Sequence, residues 1–102
     1  MKFTVKKPNE TVINLARKIG YRPMGVSEDN EYNLVRPLTN RNYPRFHIYL
    51  KKDNQSGIFY FNLHLDQKQP SYQGSAAHSG EYQGELIEKE AERIKRIIEE
   101  LK

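Results

Sequence analysis

Two segments of this chain alternate apolar and polar residues on either side of a short turn. They are Arg45-Phe-His-Ile-Tyr-Leu-Lys-Lys and Ile58-Phe-Tyr-Phe-Asn-Leu-His-Leu-Asp, joined through Asn54-Gln55-Ser56-Gly57. A period of two marks a strand with one buried face, and two such runs around a glycine-containing turn make an antiparallel hairpin. Pairing Asp53 with Ile58 sets Phe46 against Leu65, Ile48 against Leu63 and Leu50 against Phe61. The other face then aligns His47 with His64, Tyr49 with Asn62 and Lys51 with Tyr60. A slip of one residue would set apolar against polar throughout, so the parity is specified, while slips of two residues stay open.

The remaining elements must supply what covers the dry face. Lys2 to Lys6 alternates as a short strand, with Phe3 and Val5 on one side. Asn9 is a suitable N-cap for a helix with Glu10 in its first turn; Val12, Leu15, Ala16 and Ile19 form its stripe, and Gly20 ends it. Met24, Val26, Tyr32 and Leu34 share one side of a second hairpin turning at Ser27-Glu28-Asp29-Asn30. Residues 37–44 form a loop bounded by Pro37 and Pro44, and residues 67–84 show no usable period. A stretch of that length without a pattern marks a functional loop or disorder. From Glu85 a second helix carries Ile87, Ala91, Ile94, Ile98 and Leu101 at spacings of 4, 3, 4 and 3.

The two helical stripes have one large apolar surface available to them, the dry face of the sheet. The expected fold class is therefore α+β, a two-layer sandwich. Two helices pack on one face of a mainly antiparallel sheet of four to five strands, in the order β-α-β-β-β-β-α or β-α-β-β-β-α. A single domain over residues 1–102 follows from the length. Leu, Ile, Val and Phe total 24 of 102 residues, enough for a folded domain but a thin core. There is no cysteine, which excludes a disulfide framework and thiolate metal sites. Neither a signal-peptide pattern nor a bilayer-length apolar run occurs, so a cytoplasmic protein without a membrane segment is expected.

The uncovered sheet face carries the candidate chemistry. Residues 1–84 hold 12 basic and 7 acidic side chains, against 5 and 6 in residues 85–102, so the positive potential lies away from the last helix. Tyr49 and Tyr60 are diagonal neighbours on that face, beside Lys51, His47 and His64. Aromatic rings among cations on an open sheet form a stacking platform for unpaired bases, with Arg45, Lys68 and Tyr72 at its rim. The expectation is a non-enzymatic module binding RNA or single-stranded DNA. Two alternatives compete with it. His47, His64, Asp66 and His78 could hold zinc or manganese for a metal-assisted phosphodiesterase, with Glu81 as general base. The long loop and an exposed strand edge could instead dock a protein partner. No Gly-x-Ser-x-Gly elbow, His-Glu-x-x-His pair or phosphate-binding Gly-x-x-x-x-Gly-Lys loop is present.

The succession helix, three-stranded meander, helix resembles the double-stranded-RNA-binding fold. Within it the stretch Leu15-Ala-Arg-Lys-Ile-Gly-Tyr-Arg-Pro is similar to the first helix of small HicA-type mRNA interferases, together with the glycine and aromatic residue that end it. His78 with Glu81 through Ile98 is similar to their closing histidine-containing segment and helix. Those toxins place a catalytic histidine after their first strand, whereas Gly25 to Tyr32 contains none. The resemblance thus implies the fold more than the activity.

Overall fold

A computed structural model describes residues 1–67 and 80–101 of the chain. Its elements run β1 (Lys2–Lys6), α1 (Val12–Ile19), β2 (Arg22–Val26), β3 (Tyr32–Pro37), β4 (Arg45–Asp53), β5 (Ile58–Asp66) and α2 (Gly80–Glu100). All five strands form one antiparallel sheet in the order β1-β5-β4-β3-β2. This is the expected α+β arrangement with the longer of the two element orders. The central hairpin has the register read from the alternation, from Arg45 opposite Asp66 to Asp53 opposite Ile58.

The dry face is built as the pattern requires. Val12, Leu15, Ala16 and Ile19 of α1 and Ala91, Ile94 and Ile98 of α2 bury against Leu34, Phe46, Ile48, Leu50, Phe59, Phe61 and Leu63 of the sheet. Helix α1 begins two residues later than its composition suggests. Pro8-Asn9-Glu10 first forms a turn closed by the Glu10 amide on the Lys7 carbonyl, so Thr11 becomes the N-cap, its hydroxyl accepting from the Asn14 amide at 3.1 Å. Glu10 consequently precedes the helix and is buried in a 2.7 Å pair with Lys18. Gly20 ends α1 in the left-handed region, as expected. At the tip of the central hairpin Gly57 has φ +75°, and a Cβ there would lie 2.8 Å from the backbone of Pro8, so only glycine fits.

Two expectations need correction. Helix α2 starts at Gly80 rather than Glu85. In the second hairpin a bulge falls between Pro23 and Gly25, setting Pro23 opposite Leu34 and leaving Met24 unpaired. The bulge and Pro23 blunt one sheet edge, and the lysines of β1 protect the other. Among the described residues no helix is long and apolar enough to cross a membrane.

Both helices are tied to the sheet by a buried polar cluster. Glu90, 4% exposed, accepts from the Tyr21 hydroxyl at 2.6 Å and from Arg93 Nε and Nη2 at 2.8 Å each, with Arg36 Nη1 at 3.4 Å. Arg93 also donates to the Ile19 carbonyl at 2.6 Å, at the end of α1. Burial, and then the neighbouring Glu90 carboxylate, push the Tyr21 hydroxyl well above the ordinary tyrosine range. The native state therefore keeps this proton where the unfolded chain releases it, near pH 10. Tyr21 contributes stability that is fully present below that pH and is lost as the pH climbs further. Unfolding free energies from urea titrations between about pH 9 and 11 are expected to fall faster for the parent than for Tyr21→Phe, by up to about 1.4 kcal/mol per pH unit. Parallel alkaline limbs would contradict a buried, neutral Tyr21.

Candidate functional site

The second sheet face divides into two regions of opposite character. At the end formed by the start of β4 and the end of β5, the polar residues turn toward one another. Asp66 Oδ2 accepts from Arg45 Nε at 3.2 Å and lies 3.1 Å from His47 Nδ1. The other ring nitrogen of His47 meets the Asn33 side-chain oxygen from β3. Arg45 stacks over the Tyr43 ring at 4.5 Å. The His47 side chain is only 13% exposed, and Val35, its cross-strand neighbour, is 1% exposed. Arg45 and His47 are thus held in place and partnered. Neither presents a free charge to an incoming ligand. The uniformly wet face expected from the alternation is wet over only part of its area.

Toward β1 the same face opens. In register across three strands, Lys2, Asn62 and Tyr49 form one row and Thr4, Tyr60 and Lys51 the next. These six side chains line a shallow hollow of about 430 Å³, which Phe3 and Phe61 also border and in which Glu31 is the one acidic residue among the described residues. Tyr60 is 49% exposed, while Tyr49 is half-buried with the His64 ring edge-on at 5.7 Å and the His47 ring at 4.7 Å. The two lysines stand at opposite corners of this grid, and the two tyrosines are diagonal neighbours on β5 and β4. Lys51 approaches Asp29 at 3.5 Å in an exposed pair, too solvated to hold it. His64 titrates below the ordinary histidine range, chiefly because burial penalises its charged form and then because the amino terminus and the His47 ring stand close by, against the opposing pull of Asp66. It therefore stands beside the hollow as a neutral ring at pH 7.

Of the residues named from the sequence, the structure thus brings Tyr49, Lys51 and Tyr60 to the hollow, sets the paired His47 and His64 rings against Tyr49 at its border, and engages Arg45 and His47 with Asp66. Lys68, Tyr72 and His78 lie outside the described residues, as does the Glu81 side chain. Among the described residues no three histidine, cysteine, aspartate or glutamate side chains are placed to share a metal ion. Asp66 spends an oxygen on Arg45 and His47 rather than standing beside two free imidazoles.

Lys2, Thr4 and Asn62 complete the hollow, and of these Lys2 and Thr4 were not singled out from the sequence. Asn62 was legible as the neighbour of Tyr49. Lys2 and Thr4 depend on β1 pairing with β5, which no local pattern announces. No family model, curated protein or solved structure matches the chain.

Proposed function

We propose that the chain is a cytoplasmic, non-enzymatic module that binds unpaired nucleic acid, RNA or single-stranded DNA, through the β1 side of its open sheet face. One observation carries this reading: a hollow on a sheet surface where two tyrosines alternate with two lysines around a central asparagine. Each part meets a different need of the ligand. A tyrosine face accepts a stacked base of any identity, and a duplex would hide that face of the base. Lys2 and Lys51 neutralise phosphates on either side, and the Asn62 amide offers a donor and an acceptor to a base edge. Kinship with HicA-like proteins of the double-stranded-RNA-binding fold belongs to the same proposal, as a relation in which RNA is held rather than cut.

The expected behaviour is specific. Fluorescence anisotropy with a short unstructured pyrimidine oligonucleotide should show binding whose logarithm falls with the logarithm of salt at a slope of about −1.4, for two phosphate contacts. Tyr60→Ala should weaken that binding by about 1–3 kcal/mol. Unchanged affinity in Tyr60→Ala would remove the stacking platform, and an affinity independent of salt would remove the lysine contacts.

A further inference from the structure

A second cavity lies on the far side of β1. It is a groove of about 500 Å³ between the edge strand and the last turns of α2, lined by Thr4, Val5, Lys6, Lys7, Lys95, Ile98 and Glu99. Thr4 borders this groove and the hollow alike, so the two are continuous over a single strand at the edge of the sheet. Three lysines face one carboxylate within it. Lys7 Nζ donates to the Leu101 carbonyl at 2.7 Å and so offsets the negative end of α2, which has no basic residue in its last turn. Lys95 lies 5.0 Å over the Phe3 ring, and Lys6 is exposed on the same rim.

We propose that a bound single strand leaves the hollow over β1 at Thr4, and that its backbone continues into this groove, where Lys6 and Lys95 take its phosphates. The inference rests on the binding reading given above and adds a direction and a minimum length to it. An edge strand makes the route passable, because among the described residues no further strand lies beyond β1. The lysines of β1 then have two uses: they keep other strands from pairing with the edge, and they lead a polyanion across it. Glu99 and the end of α2 oppose the anion from the groove's far wall, so the backbone runs along the β1 side.

Strand length separates the two regions. An unstructured pyrimidine RNA of about four nucleotides should fill the hollow alone, and one of about twelve should reach the groove as well. The double variant Lys6→Gln, Lys95→Gln changes surface side chains only. It should bind the short RNA as the parent does and the long RNA more weakly. Two lost phosphate contacts lower the salt slope by about 1.4, so raising salt from about 50 to 200 mM should cost the parent's long-strand affinity about sevenfold more than the variant's. Equal slopes and affinities for the long strand, with the short one still bound, would overturn the route and leave the hollow standing. A variant that loses the short strand as well would overturn the separation into two regions. Failure of the parent to bind either length would overturn this route together with the reading beneath it.

Discussion

Glu90→Ala is expected to cost about 3–5 kcal/mol of stability, the range for removing one partner of a buried charged cluster. For a domain whose total stability lies between about 5 and 15 kcal/mol this is about a fifth of the whole or more. The reason is what the substitution leaves behind. Tyr21 would keep a buried hydroxyl with no acceptor, and Arg93 would keep a half-buried guanidinium whose remaining partner is the Ile19 carbonyl. Arg36 would lose its partner too. Glu90→Gln keeps an acceptor for Tyr21 while surrendering the charge, so its loss should be smaller. Thermal melts of both variants check the order. A shift on the order of 20 °C is expected for the alanine variant, from about 4–8 °C per kcal/mol in a chain of this size. A melting temperature within a few degrees of the parent would mean that the cluster does not hold α2 to the sheet.

Glu90 also shows what a sequence conceals. It lies three residues after Ile87 and four before Ile94, inside the apolar stripe, where a carboxylate signals a buried partner. Arg93, three residues on, is a local partner, but Tyr21 just after α1 and Arg36 on β3 are not, and no local pattern joins those segments to α2. The central hairpin was legible in its parity, because a period of two over nine positions on each strand leaves one face to be buried, and of the registers that parity allows the structure takes the one that pairs Asp53 with Ile58. Arg45 opposite Asp66 was implied by that same register, and with it the loss of Arg45 as a free cation. Helix starts were less legible. Asn9 and Thr11 are both good caps, and the turn through Pro8 decided between them. The five residues from Gly80 to Gly84 read as loop because glycine at both ends argues against helix, yet α2 includes them. The hollow was half legible. Its tyrosines, Lys51 and Asn62 follow from the hairpin, while Lys2 and Thr4 required knowing which edge β1 joins.

One peptide bond on β5 separates the fold from the proposed function, and a pair of substitutions there should expose it. Phe61 points to the helices, 2% exposed and stacked on Phe3 with ring centroids 4.7 Å apart. Phe61→Ala removes a large buried ring from beneath the hollow and should cost about 3–5 kcal/mol, lowering the urea midpoint by a large fraction. Tyr60, the preceding residue, points the other way into solvent and packs on none of the core, so Tyr60→Ala should move the midpoint by no more than about 0.5 kcal/mol. In binding the order reverses. The Tyr60 variant should lose about 1–3 kcal/mol of affinity for an unpaired strand. Whatever fraction of the Phe61 variant stays folded should bind much as the parent does, once its affinity is corrected for that fraction. This crossed pattern is the diagnostic one, because a general loss of structure would lower stability and binding together in both variants. Should Tyr60→Ala destabilise the domain as strongly as Phe61→Ala, the open face would be part of the core, and no ligand would be needed to explain its tyrosines.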